Sequence, residues 1–169
     1  MSNPIVHINT SMGEMLVELY ADKAPDTVAN FLSYVDEEFY DGLIFHRVIK
    51  NFMIQCGGMD MMMREKKNKS PIKNEARADL PNEAFTLAMA RTTDPHSATS
   101  QFFISVKDNE FLNFTAPTPQ GYGYAVFGKV TEGQDVATKM STVRTKNYMG
   151  HGDVPQDPIS IISIRRFEV

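Results

Sequence analysis

Short apolar segments that alternate with a period of two recur along this chain, and that pattern restricts the fold more than any other feature. In "EMLVELY" (14–20), Met15, Val17 and Leu19 fall on one side and Glu14 and Glu18 on the other, the pattern of a strand with one face on a core. "IVHIN" (5–9) precedes it across the turn-like Thr10 to Gly13, so the two read as a hairpin. "LIFHRVI" (43–49), "FMIQ" (52–55), "FTLAMA" (85–90), "QFFISV" (101–106), "YAVFGKV" (124–130) and "ISIISIRRFEV" (159–169) share the same β-branched or aromatic character, with Gly, Pro, Asn and Asp between them. At least seven strands are expected.

Two segments keep helical spacing instead. After Pro25, the residues Val28, Phe31, Leu32, Val35 and Phe39 recur on one face, with Asp26 as the candidate N-cap. "EGQDVATKMS" (132–141) reads as a shorter helix with Val136 and Met140 on one side. Because strands fill the interval between these helices, the expected architecture is a closed or nearly closed β-barrel with helices over its openings. Residues 59–71, 114–123 and 146–158 read as loops. With no repeat or dividing linker, residues 1–169 are expected to form one domain.

Composition narrows the partners. Seventeen Lys and Arg against twenty-one Asp and Glu give a formal charge of -4, which argues against general binding to nucleic acid or anionic membrane. The local basic run Arg64, Lys66, Lys67, Lys69 reads as a solvated loop. The single cysteine, Cys56, has no internal disulfide partner, so nothing demands an oxidising compartment. Glu14 and Glu18 interrupt the only candidate for a secretory apolar region, and no stretch is long enough to span a bilayer. A soluble cytoplasmic protein is expected.

Within "FHRVIKNFMIQCGG" (45–58), a permanently charged arginine stands among apolar neighbours. Such a residue must be paired, snorkelling or aimed at a ligand. A three-residue connection through Lys50, Asn51 and Phe52 places Arg47 opposite Gln55 and Ile49 opposite Met53; a two-residue turn opposes Arg47 to Ile54 and sends Gln55 to the other face. In "SQFFISV" the alternation places Gln101, Phe103 and Ser105 on one side. Under the first register Arg47, Met53, Gln55, Gln101 and Phe103 form a shallow apolar surface with one cation and two amides. That set suits peptide binding better than bond breaking.

Rival chemistries have weaker signals. Asp94, His96, Ser97 and Ser100 are the residue types of a hydrolytic triad, but they crowd one turn-rich stretch rather than converging from distant segments. His7, His46, His96 and His151 lack metal-ligand spacing. Cys56 beside two glycines reads as a small buried residue, "MDMMM" (59–63) as an adaptable apolar loop, and "GYG" (121–123) as a turn.

The stretch 45–58, followed by "LAMAR" (87–91), "SQFFISV" (100–106) and "YAVFGKV" (124–130), closely resembles the cyclophilins, the peptidyl-prolyl cis-trans isomerases that bind cyclosporin. "MARTTDPHSATSQFF", "DNEFLNF" and "GYGYAVF" are most similar to the cytosolic bacterial branch. The resemblance implies an eight-stranded antiparallel barrel capped by two helices. It implies rotation of X-Pro bonds in peptides and in unfolded or partly folded proteins, by a monomer, with no cofactor and no metal.

Carried over by resemblance, Arg47 is the catalytic arginine and Gln55 hydrogen-bonds substrate and helps hold it. The proline pocket is Phe52, Met53, Phe103, Leu112 and Tyr124, while Gln101 and the backbone around Ala90, Arg91 and Thr92 line the groove beside it. Three departures stand out: Phe111 replaces a frequent tryptophan, Tyr124 a frequent histidine and Arg91 a frequent asparagine. The first two bear on cyclosporin, whose binding is expected to be weak, and the third on the residues preferred beside proline. A different class of function, a module that binds proline segments without accelerating their exchange, has the same residue signature.

Overall fold

The alternating segments pair as the period of two requires. In the computed structural model, which describes residues 3–167, ten strands form: β1 (Ile5–Thr10), β2 (Gly13–Leu19), β3 (Arg47–Ile49), β4 (Met53–Cys56), β5 (Thr86–Met89), β6 (Phe102–Ser105), β7 (Val126–Glu132), β8 (Thr145–Tyr148), β9 (His151–Pro155) and β10 (Ile161–Arg166). Eight of them make one antiparallel sheet in the order β10-β1-β2-β7-β5-β6-β4-β3. Just before its edge strands, the Phe45 N-H donates to Ile159 O at 2.9 Å and the Ile161 N-H to Leu43 O at 2.8 Å. These bonds draw the two edges together and curl the sheet toward the expected barrel. Glu168 and Val169, included in the last expected strand, lie outside the described residues.

The sheet buries both of its faces in its middle strands, which is why β5 and β6 read as continuous apolar runs. One face carries Ile54, Cys56, Leu87, Phe102, Ile104 and Phe127 into the main core. The opposite face of the same strands carries Met53, Ala88, Phe103 and Val126 into a second apolar cluster with Leu112. Alternation therefore survives as a division between two buried layers, one structural and one beneath a surface groove.

Helix α1 (Pro25–Asp36) lays Val28, Phe31, Leu32 and Val35 on the main core, where the Phe31 ring meets Phe102 edge-on at 5.2 Å. Two expectations need correction here. Asp26 lies inside the first turn, after Ala24 at the N-cap and Pro25 at the first helical position. The free N-H groups are met from a distance: Glu75 accepts from the Thr27 N-H at 2.6 Å and the Thr27 hydroxyl at 2.6 Å. Phe39 falls beyond the helix, yet it is buried against Tyr34 with ring centres 4.7 Å apart.

Helix α2 (Gln134–Ser141) begins after Gly133, whose φ of 87° turns the chain out of β7. It buries Ala137 and Met140 and packs Val136 against the core.

The segment 146–158 was expected to be a loop, but most of β8 and all of β9 lie in it as a two-stranded hairpin. Met149 and Gly150 at the tip have φ of 51° and 82°, the left-handed pair that a tight hairpin turn needs. Most of its residues are exposed, so the pair leaves no apolar alternation to read. The basic run is less free than expected: Arg64 pairs with Asp60, Lys69 with Glu37, and the Lys66 ammonium donates to Phe39 O at 2.6 Å.

Candidate active site

The connection between β3 and β4 settles the register. Asn51 takes φ 61°, a left-handed conformation asparagine tolerates, and the three-residue link places Arg47 opposite Gln55 and Ile49 opposite Met53. On the other side of β4, Gln55 pairs with Phe103 of β6, and Phe103 pairs with Ala88 of β5. Arg47, Gln55 and Phe103 are thereby lined up across three strands on one face.

Around them lies a cavity of about 140 Å³ bounded by Arg47, Phe52, Met53, Gln55, Ala90, Arg91, Phe103, Leu112 and Tyr124. Its size suits a small ring rather than a drug-sized ligand. Phe103 and Tyr124 meet edge to face at 5.6 Å, and Phe52 and Phe111 lie tilted at 5.5 Å. Phe111 is 73% exposed and lines an adjoining cavity rather than this one.

The polar side of the cavity is a relay of amides. Gln55 Nε2 donates to Gln101 Oε1 at 3.0 Å, while Arg47 Nη1 reaches Gln55 Oε1 at 3.5 Å, the long limit of a hydrogen bond. Gly58 makes room for this arrangement, because a Cβ there would collide with Nε2, Cγ and Cδ of Gln101. Arg47 is exposed and forms no ion pair among the described residues.

Of the twelve residues carried over by resemblance, nine line this cavity, and Thr92, Gln101 and Phe111 line its neighbours. Thr92 and Phe111 line an adjoining cavity with Arg91 and Tyr124, and Thr92 and Gln101 line another with Gln55, Ala90 and Arg91. What sequence reasoning missed are the asparagines that fasten the pocket from behind. Asn109 Nδ2 donates to Phe52 O at 2.9 Å, and Asn82 Nδ2 donates to Leu112 O at 3.1 Å. Both asparagines are buried, and in sequence each is indistinguishable from an ordinary turn residue.

The surroundings are chemically quiet. Burial pushes the Cys56 thiol well above its ordinary range, which keeps it protonated and unreactive. His46, next to Arg47, is pushed down to about 4, mainly by burial and further by His151 and Arg47, so it is neutral near pH 7. Asp94, His96 and Ser97 serve a local turn, where the His96 N-H donates to Asp94 Oδ1 and Ser97 Oγ to Asp94 O, while Ser100 Oγ donates to Gly57 O elsewhere. They build no nucleophile and base pair. The groove offers an apolar recess, a cation and amides.

Fold and groove together define a β-barrel protein with a cation-flanked apolar groove. The family model for cyclophilin type peptidyl-prolyl cis-trans isomerases matches residues 5–166. Peptidyl-prolyl cis-trans isomerase cyp18 of Streptomyces antibioticus is 56% identical over 160 residues, covering 95% of this chain and 96% of that protein. Peptidyl-prolyl cis-trans isomerase B of Escherichia coli is 51% identical, over 95% of this chain and 98% of its own. The crystal structure of a cyclophilin type isomerase of Cryptosporidium parvum superposes with a TM-score of 0.81 at 26% identity, covering 99% of both chains. The chain belongs to the cyclophilin-type peptidyl-prolyl cis-trans isomerases, an enzyme family of mainly β architecture. Among the described residues no helix is long and apolar enough to cross a membrane.

Proposed function

We propose that Arg47 accelerates rotation about X-Pro bonds whose proline ring sits in the recess of Phe52, Met53, Phe103, Leu112 and Tyr124. Amide resonance opposes that rotation by about 18–20 kcal/mol, so uncatalysed exchange takes roughly tens to hundreds of seconds. Twisting the bond localises a lone pair on the proline nitrogen. A guanidinium that donates to that nitrogen, or steadies the altered carbonyl dipole, binds the twisted state more strongly than either planar one. Exchange in milliseconds needs a factor of about 10⁵, near 7 kcal/mol, which one charge-assisted contact plus orientation and exclusion of water can supply.

The observation that carries this reading is Arg47 at the rim of the apolar cavity, steered by Gln55 and unpaired with any described carboxylate. Gln55 and Gln101 then hold the peptide backbone, and Ala90, Arg91, Thr92 and Phe111 receive the residues beside proline. A relative in the same fold was crystallised in the presence of the dipeptide Ala-Pro, which supports a proline-containing ligand for this groove. No bond is made or broken, so the scheme needs neither cofactor nor metal.

The working form in this proposal is one domain over residues 1–169, a cytoplasmic monomer acting on proline peptides and partly folded chains, with weak affinity for cyclosporin and none for nucleic acid or membrane. Exchange NMR on a short X-Pro peptide tests the central step. Faster cis-trans exchange at catalytic protein concentration is expected; binding without faster exchange would overturn it and leave a proline-binding module.

A further inference from the structure

Arg91 is held in place by neutral groups alone. Its Nε donates to Gly123 O at 2.9 Å, its Nη1 donates to Thr92 O at 2.8 Å, and its guanidinium carbon lies 4.6 Å from the centre of the Tyr124 ring. The Gly123 carbonyl is itself fixed, because it also accepts from buried Asn74 Nδ2 at 3.1 Å. Gly123 has φ 68°, and a Cβ there would press on the backbone of Leu112, Asn113 and Phe114. The loop cannot move that carbonyl without losing its close packing.

A guanidinium has five N-H donors, and two of Arg91's are used on these carbonyls. The other three have no hydrogen-bond partner among the described residues, and no described carboxylate pairs with it. Arg64, Arg77, Arg165 and Arg166, by contrast, each pair with an Asp. Arg47 and Arg144 likewise have no ion pair among the described residues, but Arg91 is the one held by two backbone carbonyls and a ring face, so its guanidinium is fixed without being neutralised.

Arg91 borders a cavity of about 540 Å³ whose other walls include Thr93, Phe111, Pro119, Gln120 and Tyr124, with no acidic residue. Arg91 and Tyr124 also line the proline recess, so the two spaces adjoin. On the opposite flank, a cavity of about 400 Å³ that Arg91 also borders contains Glu65. The two flanks therefore differ in charge: Arg91 meets an acidic residue in the lining of one and none in the lining of the other.

We propose that this cavity is a subsite for a side-chain carboxylate one or two residues from the substrate proline, with Arg91 as its anion receptor; the assignment rests on the proline recess proposed above. A planar guanidinium already oriented by three contacts meets a carboxylate with little further loss of side-chain freedom. Proline segments bearing Asp or Glu at that position are then preferred over neutral ones.

The test is a series of proline peptides with Asp or its uncharged isostere Asn placed in turn one and two residues before and one and two residues after the proline. kcat/KM is measured by exchange NMR at low ionic strength and again in 0.5 M NaCl, a concentration on the order of those that screen exposed charges within a few ångströms. At one position Asp should exceed Asn by about fivefold, and salt should shrink the ratio toward one. In Arg91→Gln the ratio should collapse whatever happens to the absolute rate, and in Arg91→Lys part of it should remain. Gln120→Glu, which places a carboxylate on the facing wall, should lower the ratio without altering Arg91. An Asp to Asn ratio near one at every position, or an undiminished ratio in Arg91→Gln, overturns the subsite while leaving the isomerase reading intact. Absence of acceleration on every peptide, Asn versions included, overturns both.

Discussion

Arg47 stands directly across the β3–β4 pair from Gln55, with its Nη1 3.5 Å from the Gln55 carbonyl oxygen. The contact orients the guanidinium without neutralising it, since an amide carries no charge. A carboxylate in place of Gln55 would bind the cation more firmly and weaken it as a donor to substrate. Gln55→Glu is therefore expected to lower kcat/KM despite adding an ion pair.

Arg47→Ala should reduce kcat/KM by about a hundredfold or more, because the lost donor acts mainly on the twisted state. The side chain is exposed and opens no core cavity, so the melting temperature should move by only a few degrees. Arg47→Lys should also be impaired, since a point ammonium cannot reproduce the planar fork. Near wild-type turnover in folded Arg47→Ala would remove this residue from the mechanism.

Phe103 belongs to the site and to the fold at once. It is 4% exposed, meets Tyr124 edge-on and lies in the apolar cluster beneath the groove with Met53, Leu112 and Val126. Phe103→Ala should cost about 3–5 kcal/mol of stability and raise KM for proline peptides, because ring contact is made in planar and twisted states alike. Urea unfolding measures the first effect and steady-state assay of the folded fraction the second; unchanged KM would place the proline ring elsewhere.

The strands carrying Arg47, Gln55 and Phe103 were legible because a period of two specifies faces, and the β3–β4 register followed once the three-residue link was assumed. Contacts between distant segments were not. Glu75 caps α1 from 48 residues away, and no local signal ties a carboxylate in "NEARAD" to the N-H of Thr27. Arg91 was legible as a departure from asparagine and as groove-lining backbone, but not as a fixed guanidinium, since only the folded loop brings the Gly123 carbonyl, 32 residues on, to its Nε. Asn82 and Asn109 escaped for the same reason. The β8–β9 hairpin escaped for the opposite one: its strands bury too little for a pattern to form.

His46 makes stability depend on pH. It is 6% exposed, and its Nδ1 has no hydrogen-bond partner among the described residues. Its folded pKa of about 4 lies below the unfolded value of 6.5. Above pH 6.5 the imidazole is neutral in both states and costs nothing. As pH falls from 6.5 toward 4, the unfolded chain takes a proton the folded one refuses, and stability is lost, by about 2 kcal/mol at pH 5 and on the order of 3 kcal/mol below pH 4. Urea unfolding at pH 7.5 and 5.0 should show the drop, and His46→Gln should reduce it. An equal drop in the variant would assign the effect to other groups.

The last expectation concerns cyclosporin and rests on Phe111. Family members that bind the drug tightly commonly carry tryptophan here, whose indole N-H can donate to a ligand carbonyl; the phenylalanine ring keeps the apolar face and has no donor. The ring is 73% exposed and leans on Phe52 at 5.5 Å, so an indole can replace it without displacing core atoms. One neutral hydrogen bond is worth roughly 0.5–1.5 kcal/mol, and added ring contact raises that, so Phe111→Trp should tighten cyclosporin by about tenfold. Turnover of a neutral proline peptide should change little by comparison, because the proposed ring-binding surface is Phe52, Met53, Phe103, Leu112 and Tyr124, which line a cavity that Phe111 does not. Titrating both proteins with cyclosporin in the same assay decides the matter. Equal inhibition constants would transfer the drug determinant from Phe111 to Tyr124, or to the 114–123 loop whose Pro119 and Gln120 face Phe111 across the neighbouring cavity.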